Sequence, residues 1–287
     1  MTAECSVCFR KCRIGEGKTG FCGARGCIGS RIVPLNYGKI TALALDPVEK
    51  KPLRKFFPGS KILSVGSFGC NLRCPFCQNS DISWSEHIEE YKNTARTATP
   101  EQLVNLALSC RDEGNIGIAF TYNEPLIGYE FVRDTSLLLH KNGLKSVMVT
   151  NGTASAEILG ELSHCVDAMN IDLKGFSENY CNRVLGGNLS MVREFIAESV
   201  KHCHVELTTL IVPGENDRDE EIKRMAEWIA SLRDSGGNEI GMNIPLHITR
   251  FFPRFHMTDR NATDIDLIYR LADLCREYLN FVYTGNC

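Results

Sequence analysis

From residue 61 to its end, this chain of 287 residues switches repeatedly between two hydrophobic periods. Apolar runs at 61–66, 116–121, 145–150, 166–172, 205–212, 246–249 and 281–283 have strand length and end at Gly, Pro, Asn or Asp. Between them, residues 131–140, 156–162, 190–201, 219–232 and 264–278 repeat apolar positions at helical spacing. A further helix starts at Thr99, with Pro100 in the first turn and Gln102 three residues after the cap; Leu103, Leu106, Ala107 and Cys110 follow on one face. Strands that alternate with helices give a parallel sheet covered by helices. The number of units predicts an α/β fold built as a full or partial β/α barrel, with a doubly wound open sheet as the alternative. In such a barrel the chemistry sits on loops that follow the strands. That points to 70–77, 122–125, 150–152, 172–174, 213–216 and 247–252.

The first 60 residues do not share this pattern. Residues 1–30 are rich in Gly and Cys without a period, and read as a knuckle held by metal rather than by an apolar core. Residues 40–45 form a short strand and 46–52 a turn-rich connection. The expected division is a Cys-rich extension over 1–60 and a barrel over 61–287.

Composition narrows the function. The net charge of −3, 43% hydrophobic and 23% charged residues exclude a disordered, coiled-coil or collagen-like chain and argue against a strongly basic nucleic-acid binder. No apolar run reaches about 18 residues, so no membrane partner is expected. The polar first residues lack a secretion signal, which places the chain in the cytoplasm, where thiols stay reduced. The unusual number is 14 Cys. In a reducing compartment such clusters bind metal or do catalysis.

Three of them, Cys70, Cys74 and Cys77, occupy eight residues directly after the first barrel strand, as C-x3-C-x2-C. Thiolates suit zinc, copper and iron–sulfur clusters. A structural zinc site closes with four ligands, and the nearest further candidate here is His87, ten residues on. A 4Fe–4S cluster also takes four cysteines as a rule; with three, one iron keeps a position open for a substrate. Cys5, Cys8, Cys12 and Cys22 offer a second set of four thiolates, with Cys27 beside it; these suit zinc or a second iron–sulfur cluster equally well. The other six cysteines, Cys110, Cys165, Cys181, Cys203, Cys275 and Cys287, are scattered, and most read as small buried hydrophobes.

The triad with the aromatic Phe76 before its last cysteine resembles the radical S-adenosylmethionine (SAM) enzymes. The resemblance runs through 46–53, 57–60, 77–83, 122–125, 149–152, 170–175 and 208–217, and points to the AmmeMemoRadiSam branch, similar to pyruvate formate-lyase activating enzymes. It implies a partial (β/α)6 barrel with Cys70, Cys74 and Cys77 as catalytic ligands of a 4Fe–4S cluster. The cluster would cleave SAM reductively to methionine and a 5′-deoxyadenosyl radical, which abstracts hydrogen from a protein, as in glycyl-radical activation, or from a small molecule. Phe76 would lie near the adenine; Asn123, Glu124, Thr150, Asn151, Asp172, Lys174, His247 and Arg250 would bind SAM. The chain departs from the family in several places, among them Val149, where activating enzymes often carry an Asp. Tyr122-Asn123 replaces a glycine pair, and Thr208 stands where activating enzymes carry an arginine. The implied partners are a reductant such as flavodoxin or ferredoxin and a protein substrate. A peptide-modifying radical SAM enzyme and a non-enzymatic zinc-binding adaptor are the competing functions.

Overall fold

Apolar runs separated by helices can bury both faces of each strand only by lining up side by side, and this is what they do. The protein is described here as a computed structural model that covers residues 1–287, the side chains of 85–87 excepted. His87 thus lies outside the described residues.

The N-terminal unit holds two antiparallel hairpins, β1 (Thr2–Glu4) with β2 (Arg13–Gly15) and β3 (Arg25–Ile28) with β4 (Arg31–Pro34). Strand β5 (Lys39–Ile40) leads into β6 (Ala42–Pro47), which pairs antiparallel with β7 (Lys61–Gly66). After helices α1 (Ser80–Ser83) and α2 (Ser85–Thr94), β8 (Arg96–Thr97) pairs with β5. The main chain then alternates: α3 (Pro100–Ser109), β9 (Asn115–Phe120), α4 (Tyr129–Lys141), β10 (Lys145–Thr150), α5 (Ala156–Leu162) and β11 (Ala168–Asp172). Helices α6 (Glu178–Arg183) and α7 (Leu189–Ser199) precede β12 (His204–Ile211); α8 (Asp219–Ala230), β13 (Leu246–Arg250), α9 (Ile265–Arg276) and β14 (Val282–Gly285) complete the chain.

Among the described residues the main sheet has eight strands in the order β14-β13-β12-β11-β10-β9-β7-β6, all parallel except β6. This is a partial barrel with β6 and β14 at its edges. Helix α3 starts as expected, with Thr99 and Gln102 forming a reciprocal capping box. The division at residue 60 needs correction. Residues 42–47 pair in register with β7, so the part outside the sheet ends before β6.

Residues 48–56 fill the N-terminal mouth of the barrel. Val48, Leu53 and Phe56 pack on Ile62, Ala119, Val147 and Ala168, where small side chains leave room for them. The plug is tied down by polar bonds. Asn170 donates to the Pro52 carbonyl at 2.9 Å, and the backbone N–H groups of Arg54 and Lys55 donate to the Glu206 carboxylate at 2.9 and 2.7 Å. Closing this end leaves the C-terminal end of the strands as the open one.

Candidate active site

The loop after β7 is shaped before any ligand is considered. Gly69 has φ +94°, and a Cβ there would lie 2.7 Å from the Cys22 carbonyl oxygen and 2.8 Å from the Ala24 Cβ. Only glycine allows this approach of the loop to the N-terminal unit. Asn123, after β9, clamps the same loop: its Oδ1 accepts from Ser67 N–H at 2.9 Å and its Nδ2 donates to the carbonyls of Phe68 and Gly69. The Cys77 N–H closes a turn onto the Cys74 carbonyl at 3.1 Å. The thiols of Cys70, Cys74 and Cys77 thereby line one cavity of about 330 Å³ at the C-terminal end of the strands.

Most of the expected SAM-binding residues meet them there. Phe76, Asn123, Glu124, Asn151, Asp172, Lys174 and Arg250 line the cavity. Asp172 and Lys174 form an ion pair at 2.9 Å. Burial alone would lower the Lys174 pKa, but Asp172 and the thiols of Cys74 and Cys77 outweigh it and hold the ammonium group charged. Burial pushes Cys74 up to about 11, with Lys174 acting against it. Phe76 packs edge-on against Phe251 at 6.0 Å, and Arg250 donates to the Thr263 carbonyl at 2.7 Å while its guanidinium lies over the Phe252 ring.

Glu124 is the keystone of this wall. Its Oε1 accepts from the Thr150 hydroxyl at 2.5 Å and the Leu126 N–H at 3.0 Å, and its Oε2 from the Asn151 N–H at 2.8 Å. The carboxyl thus joins the loops after β9 and β10. Burial raises its pKa to about 7, with the hydrogen bonds from Thr150, Asn151 and Leu126 opposing the rise. Thr150 does not reach the cavity; it supports Glu124 from below. The Glu124→Gln variant is expected to lose about 1–3 kcal/mol of stability, because an amide sets an N–H against one of the donors. A denaturant midpoint equal to the parent's would count against this role.

The structure does not bring His247 to the site. It sits at the second position of β13, three residues and roughly 10 Å below Arg250 at the strand rise. Its ring is bonded to Glu206 at 2.7 Å, stacks on Tyr283 at 5.3 Å and is 5% exposed. Residues 213–216 also stay outside the cavity; Asn216 instead holds the Lys174 and Leu210 carbonyls and the Val212 N–H. Tyr122 adopts φ +74°, the left-handed region that explains why the family uses glycine there. Thr208 does line the cavity, its hydroxyl turned onto Asn170 Oδ1 at 2.9 Å. Leu72, Asn79, Thr249 and Phe251, all within the segments 70–77, 77–83 and 247–252, also line it, and so does Arg254, which lies in none of them.

The N-terminal cysteines divide. Cys5, Cys8, Cys12 and Cys22 surround one small cavity, whereas Cys27 is buried apart with its thiol 3.7 Å from Glu16. All 14 thiols are free. Of the scattered cysteines, Cys165, Cys181 and Cys275 are buried, Cys110 and Cys203 half-buried and Cys287 exposed.

Ligand chemistry tests the expected cofactors. Among the described residues no three His, Cys, Asp or Glu side chains converge on a single ion position. The triad thiols line one cavity of about 330 Å³, with room beside them for a multi-iron group. The charged pair, Asn151 and Arg250 facing them suit the carboxylate, ammonium and hydroxyl groups of SAM. The residues fit both cofactors. Among the described residues, too, no helix is long and apolar enough to cross a membrane.

Comparison with known proteins agrees. The chain is 39% identical over 285 residues to an uncharacterized protein of Methanocaldococcus jannaschii, covering 99% of this chain and 81% of that one. It is 27% identical over 196 residues to the pyruvate formate-lyase 1-activating enzyme of Escherichia coli, covering 66% and 75%. Streptococcus suis SuiB bound to S-adenosylmethionine shares the fold with a TM-score of 0.56 at 11% identity, over 76% of this chain and 48% of that one. The Radical SAM superfamily matches residues 64–245, more than half of the chain. Three thiols at the open end of a partial parallel barrel, inside a match of that extent, make this chain a member of the radical SAM superfamily, with a 4Fe–4S cluster and S-adenosylmethionine as its cofactors.

Proposed function

We propose that the protein is a cytoplasmic radical SAM oxidoreductase that abstracts a hydrogen atom from a segment of another protein. The observation that carries this reading is the shared cavity: the three thiols, the Asp172–Lys174 pair, Asn151 and Arg250 line one volume whose rim includes the exposed Phe252, Arg254 and Asn286. When bound, the cluster supplies one-electron reduction of SAM and with it the power to take hydrogen from an unactivated carbon.

The chain's own residues do the rest. Lys174 and Arg250 present cations to the SAM carboxylate, while Asp172 keeps Lys174 charged and in place. Glu124 fixes the Asn151 backbone, and Asn71 and Thr153 hold the Asn151 side chain in the cavity wall, where the sugar hydroxyls of SAM would be received. Leu72, Phe76 and Phe251 make the apolar walls that exclude water, with Phe76 against the adenine. A protein substrate is supported by the name of the Escherichia coli relative, an activating enzyme of another enzyme, and by the exposed Phe252 and Arg254 at the rim. The electron would come from a carrier such as flavodoxin or ferredoxin.

The test uses proteome labelled with deuterated glycine. The reconstituted, reduced enzyme is supplied with SAM and with either the protein fraction or the small-molecule fraction of that extract. Deuterium in the 5′-deoxyadenosine formed with the protein fraction is the expected result. Deuterium found only with the small-molecule fraction sinks the protein-substrate reading.

A further inference from the structure

The side chains that line the active cavity do not balance in charge. Among the described residues its cations are Lys174, Arg250 and Arg254, and its acids are Glu124 and Asp172. Both acids are already engaged. Asp172 is paired with Lys174 at 2.9 Å. Glu124 is 2% exposed, and its two oxygens accept from Thr150, Leu126 and Asn151. Arg250 donates from Nε to the Thr263 carbonyl and lies over the Phe252 ring. Arg254 differs from the other two cations. It is exposed at the cavity mouth, and its guanidinium makes no hydrogen bond, ion pair or ring contact among the described residues.

The backbone that carries this free head is fixed. At the base of its loop, the Thr263 N–H donates to the Phe251 carbonyl at 3.1 Å and the Thr263 hydroxyl to the Ile211 carbonyl at 2.6 Å. Arg254 and Met257 exchange backbone bonds at 3.1 and 3.0 Å, which closes a tight turn. At the tip, the His256 N–H donates at 2.8 Å to the carbonyl of Pro75, between Cys74 and Cys77. Trp84 packs edge-on against Phe255 at 4.9 Å and His256 at 5.3 Å. Phe255 is held at φ +56°, a conformation that a bulky residue keeps only where its surroundings impose it. Arg254 is thus positioned relative to the cysteine loop by its neighbours, while its charge is left for a group that arrives from outside.

We propose that Arg254 is a specificity-determining residue that reads a carboxylate of the substrate: the protein segment that enters the cavity is an acidic one, with an Asp or Glu side chain close to the carbon that loses hydrogen. A guanidinium offers such a carboxylate two parallel N–H groups. Phe252, 47% exposed at the same rim, gives the segment an apolar contact. Lys174 and Arg250 remain for SAM. This role rests on the protein-substrate reading above.

The full-length chain is reconstituted without oxygen and reduced by dithionite, so that no carrier protein takes part. It is supplied with SAM and with increasing amounts of the protein fraction labelled with deuterated glycine. Deuterium in 5′-deoxyadenosine is followed for the parent, Arg254→Glu and Arg254→Lys. Only the backbone of Arg254 is bonded, so the fold tolerates both changes. Arg254→Glu is expected to need about tenfold more of the fraction for half of its maximal rate, at a maximal rate close to the parent's, because a carboxylate now meets a carboxylate. Arg254→Lys, which keeps the charge, should lie between the two. Binding of SAM to the oxidised holoenzyme, measured by equilibrium dialysis, should be the same in all three. An unchanged half-saturating amount in Arg254→Glu overturns the role. Weaker SAM binding by the same factor overturns it as well, and assigns Arg254 to the cofactor. No deuterium from the protein fraction with the parent sinks the protein-substrate reading itself, so the two failures differ.

Discussion

Replacing Cys74 by alanine is expected to remove about four irons per chain and to leave no detectable cleavage of SAM. The same holds for Cys70 and Cys77. Each of the three thiols is a separate anchor, and two anchors leave two irons without protein ligands. The loss should be chemical rather than structural. Cys74 is a small side chain, 9% exposed, and the loop around it is held by others: Asn123 on 67–69, the Asn79 amide on the Tyr122 carbonyl at 2.7 Å, and the Arg73 N–H on the Leu185 carbonyl at 2.8 Å. Circular dichroism of the variant should therefore match the parent while iron, sulfide and 5′-deoxyadenosine are lost. A Cys74→Ala enzyme that still cleaves SAM at the parental rate would exclude the triad as the reducing centre.

The second large effect lies at the other end of the barrel. Glu206 is fully buried and accepts four hydrogen bonds: from Arg54 N–H and His247 on Oε2, and from Lys55 N–H and His204 on Oε1. Glu206→Ala strands these donors at once and unpins the 48–56 plug. A loss of about 3–5 kcal/mol is expected, the size seen when one partner of a buried charged network is removed. Burial alone would raise the Glu206 pKa, but the four bonds outweigh it and bring the group down to about 2. A carboxyl whose folded pKa lies below its ordinary 4.5 stabilises the fold fully above that value. The contribution is lost as pH falls from about 4.5 toward 2. Denaturant midpoints between pH 5 and pH 3 should fall steeply in the parent and less in Glu206→Gln. Equal slopes would show that the carboxylate does not carry this acid sensitivity.

Much of this architecture is legible in the amino-acid sequence. All seven parallel strands and the α3 capping box stand where periodicity and capping residues put them, because these signals lie within a few residues of one another. What escapes such a reading is of two kinds. Short elements such as α1, α6 and the N-terminal hairpins have too few residues to show a period. Side chains at a strand end cannot be sorted by pattern into cavity and interior. His247 and Arg250 share one apolar strand and look alike in sequence; three residues of strand separate a position bonded to Glu206 from one at the cavity. Residues 46–52 read as a turn, and the part that 48–52 plays in the plug becomes visible only with Asn170, 118 residues from Pro52 in the chain.

The sequence by itself determined where the chemistry sits: three thiols within eight residues after a strand, in a chain of alternating strands and helices, put a three-cysteine site on a β/α loop, and the resemblance of that motif made it a cluster with an open iron. Local spacing suffices for that, since both signals are carried by neighbouring residues. Tertiary structure alone decided which residues line the cavity of the three thiols and which support its wall from behind. It separated Cys27 from the four thiols near it and turned Thr150 from the cavity onto Glu124. Each of those outcomes depends on a packed contact between segments distant in the chain, and no local pattern encodes such a contact.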